Sequence, residues 1–202
     1  MLFFSLFEIF ILGFFAGLIP GPVVTALFTE TIRSGLEKSR RIIWMASLGE
    51  LVMSITSVFV FSFLAPTSIV FSALSIFGAL LLFSIAADLW KTSEIHEEEP
   101  LFSNKRIFFI ALFNGMAWIF WITVCTPQAM ALSTLVPFGR WLFILLFEAG
   151  WICSTLALGF LFAYFRPYFQ SNQKLNLLFR AVAIFFIFFS LKLIYGSVKQ
   201  FL

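Results

Sequence analysis

Charge is what this sequence holds least of: 11% of its 202 residues are Asp, Glu, Lys or Arg, against 61% hydrophobic ones. A chain so short of surface-forming residues is not a soluble domain. It has one histidine and two cysteines, too few to build an imidazole or thiolate metal cluster. Cys125 and Cys153 stand in or beside apolar runs with no paired spacing, and read as small apolar side chains rather than a disulfide or metal pair. The net charge of +3 is small and its basic residues gather in particular loops, which argues against a nucleic-acid partner. A glycine-rich phosphate loop followed by lysine is missing, and so are a Ser–His–Asp or Cys–His set and an H-E-x-x-H helix. ATP-driven pumping and hydrolytic catalysis are therefore not expected, and no cofactor is implied. The N-terminus lacks a basic lead-in and a small-x-small cleavage site, so it is expected to be a retained span.

What the sequence has in quantity is phenylalanine, 31 in all, set in long apolar runs. At ~20 residues per crossing the length suits six transmembrane helices. The expected spans are about 2–32, 42–64, 69–90, 107–126, 140–164 and 177–201. Between them lie polar stretches: Arg33 to Arg41, the turn Ala65 to Ser68, the insert Lys91 to Arg106, a loop around Pro127 and Pro137, and Arg166 to Lys174. The run Glu97 to Glu99 beside His96 reads as a solvated loop. The phenylalanine runs, such as Phe185-Phe186 and Phe188-Phe189, read as lipid-facing or packing residues. Lys and Arg concentrate after spans one, three and five, while the other side holds Arg140, Lys192 and Lys199. Both termini are thus expected to face away from the cytoplasm, with Trp44 and Trp90 near the cytoplasmic interface and Trp141 near the outer one.

The first span carries Gly13 and Gly17 and then Pro20-Gly21-Pro22. Neither proline donates a backbone hydrogen bond, so the carbonyls of Ala16 and Leu18 lose their helical partners. Such groups are tolerated at membrane depth only against protein or water. A broken helix there is a candidate solute site. The half-helix after Pro22 offers free N–H groups and a positive dipole end to a carboxylate, with Thr25 as a nearby hydroxyl donor.

The two halves correspond in placement. Span four has its weakest helical point at Asn114-Gly115, matching the break in span one. Glu50 follows Arg41, and Glu148 follows Arg140, at nearly equal spacing, which puts each acid ~12 Å along its helix. The expected fold is an all-α integral membrane protein forming a single transmembrane domain. It has two inverted three-helix repeats, 1–90 and 107–202, joined by a cytoplasmic loop at 91–106. Glu50 and Glu148, costly when ionised in lipid, would face the bundle interior and carry a proton or meet a substrate amine. Gly49 and Ala149-Gly150 would let another backbone approach each acid. Asp88 reads as interfacial, and Glu8 and Lys192 as a structural ion pair between spans one and six.

The run Gly17-Leu18-Ile19-Pro20-Gly21-Pro22, Gly35 in the following loop, Gly49 beside an acid, and Phe113-Asn114 in the fourth span resemble the LysE/RhtB amino-acid exporters. That resemblance implies a bacterial inner-membrane exporter of amino acids or related metabolites, driven by the proton-motive force. It extends to Pro20, Gly21, Pro22 and Asn114 as site residues. The family usually has Asn-Pro-Lys in span four, whereas here Asn114 is followed by Gly115 and Met116, so a divergent member is implied. The expected partners are a small zwitterionic or cationic solute and the lipid bilayer. Two other functions fit the residues: a metal-ion effluxer of the wider superfamily, and a non-transporting assembly subunit. The Gly13/Gly17/Gly21 ladder suits the second, and also a homodimer.

Overall fold

The computed structural model describes residues 2–61, 68–91, 101–169 and 171–199. Among them there are helices and no strand. Helix α1 (Leu2–Leu18) is followed by α2 (Pro22–Ser34) and α3 (Leu36–Thr56), which runs into a π-helical turn at Ser57–Phe61. Helix α4 spans Ser68–Lys91, and α5 spans Asn104–Leu112. Helix α6 (Gly115–Phe120) passes through a second π-helical turn, Trp121–Cys125, into α7 (Thr126–Leu135). Helix α8 (Gly139–Phe165) ends in a 3-10 turn, and α9 covers Asn172–Lys199. Against the six spans expected, three continuous stretches are long and apolar enough to cross a bilayer: Leu36–Val60, Gly115–Leu135 and Gly139–Phe169. The bent pair Leu6–Leu18 and Pro22–Ser34 makes a fourth if it is one crossing, and shorter apolar helices lie at Ile76–Ala87 and Asn176–Phe188.

Two expected loops are helical instead. The polar stretch after span one contracts to a single turn residue, Gly35, at φ 84°. Only glycine takes that left-handed backbone without strain. Its N–H closes α2 on the Thr31 carbonyl at 2.9 Å, and its own carbonyl accepts from Ser39 at 3.2 Å. Glu37, Lys38, Arg40 and Arg41 are therefore the first turns of α3. The chain around Pro127 is also helical, to Leu135. Pro127 sits in the first turn of α7, just after the π-helical turn, where a missing N–H interrupts least. The loop around Pro137 forms as expected.

The three most extensive helix pairings are α1 with α8, α4 with α9, and α3 with α5. Glycine makes the first and third possible. A Cβ on Gly13 would strike the Phe147 carbonyl, and one on Gly150 would strike the Phe10 carbonyl. A Cβ on Gly17 would strike Ser154 Oγ. The Gly13/Gly17 face is thus occupied by α8 within the chain, whereas a Cβ on Gly21 meets only the Ile19 carbonyl, at 3.9 Å. On the other side, a Cβ on Gly49 would sit 2.6 Å from the Phe108 carbonyl of α5. Inside, Trp121, Phe143 and Phe147 are fully buried, with the Trp121 and Phe147 rings 4.6 Å apart. Along α9, Phe186 is buried and Phe188 faces outward.

Candidate functional site

Helix α1 ends because Pro20 and Pro22 cannot supply its next hydrogen bonds. The Ala16 carbonyl recovers a partner in the tighter Ile19 N–H, at 3.2 Å. The chain then turns by 64°. Gly21 is extended, and Pro22 opens α2, the position where proline costs nothing because that N–H would be unpaired anyway. The first closing bond of α2 runs from Thr25 N–H to the Gly21 carbonyl, 2.9 Å, so the N–H groups before it have no helical acceptor.

The chain breaks again between α5 and α6, at Phe113-Asn114. Phe113 closes α5 on Phe109, and Asn114 precedes α6 with its carbonyl accepting from Trp118 N–H at 3.1 Å. The Leu112 carbonyl left over at the break accepts the Trp118 indole N–H at 2.7 Å. These two helix starts meet. Pro22 and Asn114 line one narrow cleft with a free volume of about 20 Å³, together with Gly78, Leu82, Ile110, Phe113 and Met116. That is room for about one water.

The acids lie elsewhere in the bundle. Glu50 on α3 and Glu148 on α8 are both buried, 8% and 7% exposed. Each is within electrostatic reach of the other and of the Cys125 thiol. Trp121 Nε1 donates to Glu50 Oε1 at 3.4 Å. Neither oxygen of Glu148 has a hydrogen-bond partner among the described residues, and the Ser57 and Thr126 hydroxyls at the π-helical turns are in the same condition. Both cysteines are free thiols, Cys125 buried and Cys153 exposed.

A model of the LysE type translocator family matches residues 14–197, from inside α1 to near the end of α9. The chain belongs to the LysE type translocator family. It is a multi-pass membrane protein of a transporter family, which is what the Pro-Gly-Pro run and Phe113-Asn114 implied. No curated protein and no solved structure matches it.

In this LysE-type chain the seven residues singled out from sequence fall into two groups. Pro22 and Asn114 share the cleft, with Gly21 and Thr25 half-buried beside the first break and Pro20 turned outward. Glu50 and Glu148 form the second group and do not line that cleft. Glu8 is exposed. The side chains of Asp88 and Lys192, and the run Glu94 to Glu99 with His96, lie outside the described residues.

Sequence reasoning passed over three groups in the same chain. Glu30, 1% exposed at the end of α2, accepts the Leu101 N–H at 3.0 Å and pairs with Arg41 at 3.5 Å. Arg41 also donates to Asn104 Oδ1 at 2.9 Å, so one cluster ties α2, α3 and the start of α5 together. The available signal was an acid inside an apolar run directly before a basic stretch. Trp121 was also missed, although an indole away from the interfaces has to find an acceptor. Cys125, read as a small apolar side chain, is buried in the core as expected, and is also within electrostatic reach of both acids.

Proposed function

We propose that this translocator exports amino acids, or related small zwitterionic or cationic metabolites, across the bacterial inner membrane in exchange for protons. The observation that carries this reading is the convergence of two helix starts, at Pro22 and at Asn114, on one cleft. Each start presents the positive end of a helix dipole, and a carboxylate is the complementary guest. In place of the family's usual lysine, this chain offers only backbone dipoles and the Asn114 side chain. Thr25 and Gly21 complete the shell around the first start.

The halves 1–90 and 107–202 act here as inverted repeats around the cleft, linked by a cytoplasmic segment at 91–106. Their helix partners support this: the first helix of each half (α1, α5) packs on the second crossing of the other (α8, α3). A glycine beside each acid receives the neighbouring backbone, Gly49 next to Glu50 and Gly150 two residues after Glu148. Proton exchange belongs to Glu50 and Glu148, and solute binding to the cleft. The two are coupled because α3 and α8 carry the acids and pack on the helices that break.

The test uses proteoliposomes loaded with a panel of amino acids under an imposed pH gradient. Wild-type protein should release at least one of them faster when the outside is acidic. Asn114→Ala should cut that release by roughly tenfold, the equivalent of ~1.4 kcal/mol of lost binding. Glu50→Gln should abolish the dependence on the gradient. Release that ignores the gradient in wild type, or that is unchanged in both variants, would overturn the reading.

A further inference from the structure

We propose that Glu30, Arg41 and the Leu101 amide form a releasable latch that keeps the cleft shut, and that Glu30 must part from the other two before a solute enters. Its role in transport rests on the reading above, in which the cleft is the solute site. A free volume of about 20 Å³ takes about one water, and the smallest amino acid is several times that size. The described arrangement is therefore closed to solute, and the cleft walls have to separate to admit one.

Two of those walls are α2, through Pro22, and α5, through Ile110 and its capping residue Phe113. Both helices run from the cleft to the latch. Pro22 to Glu30 and Asn104 to Phe113 each cover ~12–14 Å at 1.5 Å per residue. At the far end, Glu30 of α2 accepts the Leu101 N–H at 3.0 Å, just before α5 begins. Its other oxygen faces Arg41 of α3 at 3.5 Å. The latch thus joins the far ends of the two helices whose near ends make the cleft.

Its two sides are anchored to different bodies. Arg41 donates to Asn104 Oδ1 at 2.9 Å, and Gly49 brings α3 against the Phe108 carbonyl of α5, so α3 and α5 move as one. The end of α2 belongs with α8, because Arg166 beyond α8 donates to the Ile32 and Arg33 carbonyls, each at 3.3 Å. Glu30 bridges these bodies. Between α2 and α3 the backbone turns on Gly35, a residue free to change its dihedrals. The Glu30–Arg41 separation exceeds the about 2.7–2.9 Å of a tight charge-assisted bond. Arg41 is also about a quarter exposed, so water can replace Glu30 on the guanidinium as the latch opens.

Labelling of a thiol in the cleft wall reads the latch without any solute. The full chain is used in right-side-out and inside-out membrane vesicles. Cys153→Ser removes the exposed thiol, and Ile110→Cys places one in a wall that is 3% exposed. The parent without Ile110→Cys measures whatever the buried Cys125 contributes. Glu30→Gln weakens both charged contacts without opening a cavity. It should speed labelling by a membrane-impermeant maleimide roughly tenfold, which is ~1.4 kcal/mol of lost closing energy, and from one face of the membrane only. Arg41→Gln leaves the Leu101 bond in place and should give a smaller gain from the same face; it serves alone if Glu30→Gln does not assemble. A residue that merely braced the fold would raise labelling from both faces alike. That result, or unchanged labelling, would overturn the proposal. A one-sided gain with no gradient-driven release of any amino acid would support the latch and count against the transport reading alone.

Discussion

Glu30 is the described acid held by two partners at once, a backbone N–H and a guanidinium. Replacing it with alanine strands the Leu101 amide and takes from Arg41 its ion-pair partner, leaving it the bond to Asn104. Breaking a buried pair from one side costs about 3–5 kcal/mol. Because Arg41 is about a quarter exposed and can rehydrate, Glu30→Ala is expected near the lower figure. Thermal unfolding in detergent should show a clear drop, and a smaller one for Arg41→Ala; equal melting curves for Glu30→Ala and wild type would dismiss the cluster as a brace. This residue was hard to read from sequence because both its partners are distant in the chain. Leu101 lies beyond a stretch whose composition announces only solvent. By contrast Glu50 and Glu148 stood out in advance, since an acid in the middle of an apolar run needs no knowledge of its neighbours to be noticed.

At the scale of helices, the glycines separate into two kinds. Gly150 and Gly13 lie where backbone meets backbone between α1 and α8, and nothing there can yield to a side chain. Gly150→Leu is expected to cost about 3 kcal/mol, the upper end for overpacking, or to prevent assembly. Gly21→Ala should leave the melting temperature unchanged, because its backbone is extended and its Cβ meets nothing closer than 3.9 Å. Comparing the two melting temperatures checks the assignment, and an equal loss in both would contradict it. The small-residue spacing was visible in the sequence, but spacing alone does not say which helix answers it. The same holds for Pro127. Proline marks a loop in most contexts, and only the preceding π-helical turn makes room for it inside a helix.

For the whole molecule, the legible part was the class: helical, membrane-embedded, and broken at Pro20–Pro22 and at Asn114. Which of the singled-out residues would share a cleft was not legible. Depth along a helix follows from counting residues, but rotation about the helix axis depends on which neighbour is packed where. Counting put Glu50 and Glu148 at similar depth, and packing set Pro22 and Asn114 on one cleft. The side of the membrane reached by each terminus is open to a direct check. The Lys and Arg distribution predicts that phosphatase, which folds only outside the cytoplasm, will be active when fused after Leu202. It predicts the same fusion inactive when placed in the insert near Glu97. The reverse pattern would invert every assignment of sides made above.

The pairing of α1 with α8 also sets an order on biosynthesis. The ribosome finishes Gly13 about 140 residues before it reaches Gly150, a delay on the order of ten seconds at 5–20 residues per second. During that interval the nascent first helix has lipid, not protein, against its notched face. The notched face of α1 therefore stays open until α8 is inserted, and only then does the groove close.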